Sequence, residues 1–224
     1  MSPVLSNAES KAFYDRFGAR QDRQSFYEDR ALDDLVAHAD LATAKHVFEF
    51  GCGTGRLAAR LFEECLGPRA RYDSVDISPT MVGLAKTRLA RWSDRAQVLR
   101  SDGSVRLEAP DGAYDRFVSA YVLDLLSEDD ITLLIGEARR VLGTEGRLCL
   151  ANLTWGDTLF SKAVSWVWQQ FYAVRPAWVG GCRPIHLADF LPKDSWELLH
   201  HRRLRSYGIT SEVAIARPRQ APNL

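Results

Sequence analysis

A glycine-rich turn follows a short apolar run in the first quarter of the chain. The residues HVFEF at 46–50 are typical of a buried strand, and Gly51, Gly53 and Gly55 come directly after it, ahead of a helical pattern. Glycine lets the backbone approach a ligand closely and leaves N–H groups pointing out of the first strand-to-helix turn. The turn therefore predicts a ligand-binding site at the carboxyl end of this strand.

The residues around the glycines do not fit two common phosphate-binding motifs. A nicotinamide fingerprint places glycine at the first, third and sixth positions, whereas the sixth position here is Arg56. A Walker motif needs Lys followed by Ser or Thr directly after the glycines, whereas Gly55 is followed by Arg56 and Leu57. The turn is better suited to a nucleoside with little phosphate.

An acidic residue ends the next predicted strand. Asp76 lies 21 residues beyond Gly55, where a doubly wound fold places a carboxylate opposite the hydroxyls of a ribose. Two hydroxyl donors would then meet two carboxylate oxygens. The other interpretation is a solvated loop acid, and the glycine turn upstream favours ribose binding over it.

The end of the third predicted strand supplies groups for the base of such a nucleoside. Asp102, which Gly103 follows, offers an acceptor for an adenine amino group. Ile77 and Met81 offer apolar surface to the ring. Together with the acid of the second strand, these residues would bracket an adenosine.

The elements that position these residues alternate along the chain. Start signals for helices stand at Ser78-Pro79 and at Ser127, and an apolar helical stripe runs from Ile131 to Leu142, where Gly143 is expected to end it. A helix is predicted over 157–173, and two strands around Gly208 are predicted to form a terminal hairpin. The five earlier strands are predicted at 46–50, 72–77, 96–101, 114–120 and 146–153. This order predicts an α/β fold, a doubly wound three-layer sandwich with a mostly parallel sheet.

These motifs together resemble those of the class I (Rossmann-like) S-adenosylmethionine-dependent methyltransferases of the small-molecule type. The family pattern of an acid, three alternating glycines, a second-strand acid and an Asp after the third strand is matched by Glu49 to Gly55, Asp76 and Asp102. The resemblance spans about residues 44–153. It implies a seven-stranded sheet with an antiparallel last strand, S-adenosylmethionine as cofactor, S-adenosylhomocysteine as product, and no metal.

The resemblance also implies roles for individual residues. Glu49 would orient the methionine amino group, Gly51 and Gly53 would approach it by their backbone, and Tyr121 would flank the methionine portion. The full set of predicted cofactor-binding residues is Glu49, Gly51, Cys52, Gly53, Gly55, Asp76, Ile77, Met81, Asp102, Gly103, Tyr121 and Tyr14.

Three residues are candidates for the catalytic step: His186, Tyr121 and Asp124. His186 could deprotonate an acceptor, although a histidine in such a position more often has a structural role. Asp124 either faces the acceptor or caps the following helix. Cys52 has no His or Lys beside it in the sequence to activate its thiol, so it is interpreted as a small residue that fills the turn.

The chain is predicted to consist of an N-terminal helical lid at 1–45 and a methyltransferase domain at 46–224. Within the domain, residues from about 155 to 198 form an insertion that shapes the substrate site. Tyr14 and Phe17 are predicted lid contacts. The second lid helix carries Leu32 and Leu35 on one side and Asp33 and Asp34 on the other, and the lid is expected to pack over the ligand edge of the sheet.

Composition restricts the partners and the compartment. The chain has 29 Lys plus Arg and 29 Asp plus Glu, so nucleic acid is not an expected partner. The basic run HHRRLR at 200–205 is interpreted as a solvated strand face. The four cysteines form no C-x-x-C pair, and no signal sequence or membrane span is recognisable, which together predict a cytoplasmic protein.

The methyl acceptor is expected to be a small molecule. After the fourth strand the chain reads Ser119-Ala120-Tyr121-Val122, which lacks the Asn- or Asp-Pro-Pro-aromatic motif of related enzymes that methylate nucleobase amino groups. Four tryptophans within 155–178 indicate an aromatic acceptor pocket, a helix lying on a membrane, or core packing. Two alternatives therefore stay open, a phospholipid methyltransferase and a cofactor-binding module without turnover; a nicotinamide dehydrogenase is more distant. The oligomeric state is not predicted.

Overall fold

A central sheet of seven strands organises the computed structural model, which describes residues 4–219. The strand order is β3-β2-β1-β4-β5-β7-β6. The strands are β1 (His46–Phe50), β2 (Arg71–Asp76), β3 (Ala96–Arg100), β4 (Tyr114–Ala120), β5 (Leu142–Leu153), β6 (Trp196–Ser206) and β7 (Ile209–Pro218). The first five pair in parallel, and β7 is antiparallel to both β5 and β6. The predicted fold class and the antiparallel last strand are confirmed.

Helices cover both faces of this sheet. They are α1 (Asn7–Phe17), α2 (Ser25–His38), α3 (Arg56–Glu64), α4 (Pro79–Arg88), α5 (Glu128–Val141) and α6 (Leu159–Val174). The predicted start signals are confirmed: Ser78 Oγ accepts the N–H of Met81 at 3.2 Å, and Ser127 Oγ accepts the N–H of Asp130 at 3.1 Å. The expected end of α5 was wrong, because the helix stops at Val141 and continues directly into β5 without a left-handed glycine cap.

Two apolar clusters hold the layers together. On one face α2, α3 and α4 pack against the sheet through residues such as Leu35, Leu61 and Val82. On the other face α5 contributes Ile131 and Leu134. Burial of each such side chain contributes roughly 1.5–3 kcal/mol, so the sheet that carries the glycine turn is rigidly supported.

The second helix of the predicted lid lies mostly beside the sheet and reaches the ligand edge only near its start. Its apolar residues pack largely on the face formed by β5, β7 and β6, while Glu28 and Leu32 line a small cavity beside the glycine turn. Asp34 is buried, and its carboxylate binds His200 and Arg202 of β6. The first helix and the 3₁₀ turn Gly18–Gln24 lie at the ligand edge, where Tyr14 and Gln21 share a cavity with the glycine turn.

In the described part of the chain, no helix has both the length and the apolar character that crossing a bilayer requires.

Candidate active site

A cavity opens where the strand order reverses between β1 and β4, the point at which doubly wound sheets bind ligands. The empty space within it is about 880 Å³ when the open mouth is included. The walls come from the ends of β1, β2 and β4, from the loop after β3, from the start of α5 and from the N-terminal segment. The lining includes Leu5, Asn7, Tyr14, Gln21, Gly51, Gly53, Asp76, Ile77, Gly103, Tyr121, Leu125 and Asp130.

The glycine turn forms one wall with its backbone. Gly51 and Gly53 have φ values of 81° and 52°, in the left-handed region that favours glycine. A Cβ on Gly51 would lie 2.3 Å from a methyl group of Val122, and one on Gly53 would lie 2.6 Å from Gln21 Oε1. Both positions therefore require glycine for conformational and steric reasons.

Asp76 connects the turn to the end of β2. One carboxylate oxygen accepts the N–H of Gly53 at 2.9 Å, and the other accepts the N–H of Ser78 at 2.8 Å. Burial raises the pKa of Asp76, and the backbone donors oppose that rise. A carboxylate has about four lone-pair sites, so each oxygen can still accept a hydroxyl from the cavity.

A smaller adjoining cavity contains Glu49, Gln21 and Cys52. The carboxyl of Glu49 accepts the Tyr72 hydroxyl at 2.9 Å, and burial raises its pKa to about 8. Gln21 Oε1 is buried and has no hydrogen-bond partner among the described residues. Burial raises the pKa of the Cys52 thiol, which makes this cysteine a poor nucleophile.

Tyr121 lies between the two cavities and has a strained backbone. Its φ is 57°, unusual for a bulky residue, and its hydroxyl is 2.8 Å from Ser211 Oγ. Its ring meets that of Tyr27 edge to face at 5.8 Å between centroids. Strain of this kind is retained where the surroundings determine the conformation, which is common in functional sites.

Helix α1 covers the mouth of the cavity through polar contacts. The amide of Asn7 donates to the Gly103 carbonyl at 3.2 Å, and Ser78 Oγ donates to Asp15 at 2.6 Å. Tyr14 lines the cavity. Phe17, the other predicted lid contact, lies outside the lining and packs on Phe13 at 5.4 Å between ring centroids.

Three predicted cofactor contacts do not reach either cavity. Asp102 is exposed, and its carboxylate accepts the N–H of Ser104 at 2.8 Å in a local turn. Met81 is fully buried in the protein interior. Gly55 faces the backbone of Ala85, where a Cβ would lie 3.0 Å from that residue's Cα, so this glycine permits the approach of α4.

His186 also lies away from the cavities. Its Nδ1 is 3.2 Å from Thr154 Oγ1, 3.3 Å from the guanidinium of Arg203 and 3.9 Å from the carboxylate of Glu212. Glu212 is buried and also accepts the N–H of Leu187. The histidine expected to act as a base is therefore part of the network that attaches the 3₁₀ turn Leu187–Phe190 to β7.

Asp124 is fully buried behind the cavity wall formed by Val122 and Leu125. Burial raises its pKa to about 7, and Arg183 and Asn152 oppose the rise. Its backbone carbonyl accepts from the Arg183 guanidinium at 3.1 Å. It lies outside the cavity lining, so it faces no acceptor directly.

Several lining residues were not anticipated from the sequence. Asn7, Ser10 and Gln21 belong to the N-terminal segment, and Asp130 lies in the first turn of α5, for which Ser127 was predicted only as a start signal. No local motif marks the first three, because their position depends on how α1 lies across the sheet.

The middle of the chain is similar to known methyltransferases. Residues 47–146 match the family model described as a methyltransferase domain. A curated relative, malonyl-acyl-carrier-protein O-methyltransferase of Paenibacillus sp. (strain JDR-2), is 29% identical over 159 residues, covering 70% of this chain and 53% of its own. The chain thus spans about half the length of that relative.

Solved structures share the fold at low sequence identity. The (4+2)-cyclase SpnF superposes with a TM-score of 0.70 at 16% identity, over 96% of this chain and 97% of its own. The N-methyltransferase NodS from Bradyrhizobium japonicum was solved with S-adenosyl-L-homocysteine. It superposes with a TM-score of 0.69 at 17% identity, over 94% of this chain and 99% of its own. Likeness at this level establishes the fold.

Proposed function

We propose that this chain, which belongs to the class I S-adenosylmethionine-dependent methyltransferase family, binds S-adenosylmethionine at the β1/β4 switch point and transfers its methyl group to a small-molecule acceptor. The observation that carries the proposal is the bond between Asp76 and Gly53. This bond places the Asp76 carboxylate beside the backbone of the glycine turn in one cavity. The arrangement suits a ligand in which a ribose is joined to an amino-acid group.

The residues present fit this cofactor. Asp76 would accept the two ribose hydroxyls, while Gly51 and Gly53 leave room for the methionine portion. The unpartnered Gln21 Oε1 and the buried Glu49 would receive the amino group. Ile77 would cover the base. Met81 and Asp102 are left out of this proposal because neither lines the cavity.

When bound, the cofactor supplies an electrophilic methyl group on a positively charged sulfur. The chain contributes position and exclusion of water. Tyr121 and Tyr14 close the cavity on two sides, and Asp15 holds α1 against α4 through Ser78. We propose that no metal takes part and that Asp124 supports the loop after β4 without contacting the acceptor.

The charge of the cavity defines the class of acceptor. Among the described lining residues there is no Lys, Arg or His, and the ionisable carboxyl groups are Asp76 and Asp130. Such a site attracts a sulfonium cation and repels anions. The acceptor is therefore proposed to be an uncharged or cationic small molecule, with apolar portions that contact Leu5, Leu125 and Val122.

We also propose a cytoplasmic location, which suits the four cysteines, all of which are free thiols in the structure. The relatives favour neither of the alternatives raised from the sequence, a phospholipid methyltransferase and a module without turnover.

Two measurements test this function. Calorimetric titration should detect binding of S-adenosylmethionine and S-adenosylhomocysteine and no comparable binding of NAD or ATP. Incubation with uncharged and cationic acceptors should then release S-adenosylhomocysteine with at least one of them. Saturation of the cavity by NAD or ATP in place of the sulfonium compound would refute the proposal, and tight cofactor binding without product across the panel would favour the module.

A further inference from the structure

Helix α6 directs its apolar side toward solvent. Its buried residues include Ser161, Ser165 and Tyr172, and Trp168 packs inward while donating to the Cys182 carbonyl at 2.9 Å. Of the three interpretations open to the tryptophans, core packing is the one that Trp168 follows. The remaining large apolar side chains lie on the opposite side, contrary to the usual pattern of a surface helix.

The exposed side carries several large apolar side chains, which together we call the α6 face. Between 50% and 89% of the surface of each of its members is exposed. These members are Leu159, Phe160, Trp166, Phe171, Val174 and Trp178. Phe171 and Trp178 contact each other at 6.2 Å between ring centroids, so the face extends from α6 onto the 3₁₀ turn Pro176–Val179. Exposed apolar patches of this kind mark interaction sites.

The chain segment that carries the α6 face has charges of one sign, and Asp157, just before it, is paired with Arg205. From 158 to 188 the sequence contains no Asp or Glu, whereas it contains Lys162, Arg175 and Arg183. Lys162 and Arg175 are exposed, and neither forms an ion pair with any described residue. Unpaired cations beside exposed aromatic and aliphatic side chains complement an anionic surface.

We propose that the α6 face binds the surface of a bilayer that contains anionic phospholipids. Trp166, Phe171 and Val174 enter the boundary between headgroups and acyl chains, while Lys162 and Arg175 contact the headgroups. A second copy of the chain is a poorer occupant, because a two-fold contact pairs the same surface on both subunits and residues 158–188 offer no Asp or Glu to the unpaired cations. The surface adjoins the site: Phe13 and Leu5 of the N-terminal segment pack against Gly180 and Gly181.

Vesicle flotation with the full chain tests this interaction. Vesicles in which about a third of the lipid is phosphatidylglycerol should carry the protein, and vesicles of phosphatidylcholine alone should carry much less. The triple variant Trp166→Ser, Phe171→Ser, Val174→Ser should bind the anionic vesicles at least about tenfold more weakly. The pair Lys162→Gln, Arg175→Gln should remove the preference for anionic lipid, as should high salt.

A matched control replaces equally exposed apolar residues elsewhere. Leu99→Ser, Leu133→Ser and Leu198→Ser change side chains that are about half exposed on β3, α5 and β6, and should leave flotation unchanged. Unfolding curves confirm that each variant folds.

Three results would overturn the proposal. They are no flotation of the wild type with anionic vesicles, equal flotation of the α6 variant and its control, and a concentration-dependent dimer that the α6 substitutions dissociate. Cofactor binding is measured separately, so failure of membrane binding would not contradict the proposed methyl transfer.

Discussion

The carboxylate of Asp76 accepts the backbone N–H of Gly53 at 2.9 Å. The acid of β2 and the glycine turn of β1 are therefore one structural unit, although 23 residues separate them. Any ligand that Asp76 binds is held beside the turn at a fixed distance, because the two strands pair in parallel along their length.

Replacing Asp76 with Asn should weaken cofactor binding. An amide has one oxygen for the two backbone N–H donors of Gly53 and Ser78, and its NH₂ group would face one of them. The substitution therefore weakens both the glycine turn and the contacts with the ribose. We expect a loss of roughly 1–3 kcal/mol in binding free energy by calorimetry. Asp129→Asn, an exposed change on α5, is the control. Equal affinity of a folded Asp76→Asn protein would contradict the ribose assignment.

Alanine at two glycines should have opposite effects. Gly51→Ala introduces a Cβ in left-handed backbone, 2.3 Å from Val122, and should reduce both stability and cofactor affinity. Gly136→Ala lies on the exposed side of α5 with no atom within 4 Å, and should stabilise the protein by roughly 0.5–1 kcal/mol. Denaturant unfolding and calorimetry compare them; a Gly51→Ala protein that binds normally would be inconsistent with the steric argument.

Cofactor binding should release a proton below about pH 8. Burial raises the pKa of Glu49 from 4.5 to about 8, so the free protein holds this carboxyl protonated at neutral pH, whereas an ammonium group favours the carboxylate. Affinity should therefore increase with pH up to about 8. Titration in buffers of different ionisation enthalpy measures the released proton. Glu49→Gln should abolish the release, and persistence of the release in that variant would exclude Glu49 as its source.

Asp124 should make the folded state less stable at higher pH. Its pKa is raised from 3.8 to about 7 by burial, so the folded protein binds a proton that the unfolded chain has lost. This contribution is complete below the unfolded pKa and disappears as the pH rises through about 7. Between about pH 5 and pH 8, the free energy of unfolding measured in urea should fall by roughly 2 kcal/mol less in Asp124→Asn than in the wild type.

The same variant separates a supporting role from a catalytic one. Retention of methyl transfer by Asp124→Asn, with the altered stability profile, is the result expected from its position behind the wall. Loss of turnover with unchanged cofactor affinity would instead identify it as the proton acceptor.

Asp34 should be needed for the attachment of α2 to β6. Its carboxylate lies 2.6 Å from His200 Nε2 and 3.1 Å from the Arg202 guanidinium, and the rings of His38 and His200 stack at 3.6 Å. Asp34→Ala leaves these donors without their acceptor and should cost about 1–3 kcal/mol of unfolding free energy.

Asp33→Ala is the neighbouring control. That carboxylate is mostly exposed, and its partner Arg60 keeps Glu64, so the change should stay within about 0.5 kcal/mol. Similar losses in both variants would show that burial of Asp34 does not matter.

The sequence alone determined the features that depend on local periodicity and backbone chemistry. The strand before Gly51, the cap at Ser78 and the acid at 76 could be predicted because each is encoded within a few neighbouring residues, and the parallel pairing of the first five strands could be predicted from their alternation with helices. The contacts of Asn7 and Gln21 with the cavity, and the separation of His186 from it, were decided by tertiary structure, since they depend on packing between distant segments. The same reason applies to α6: periodicity indicates that a helix has an apolar side, and only the competition for space against β7 decides which side faces water.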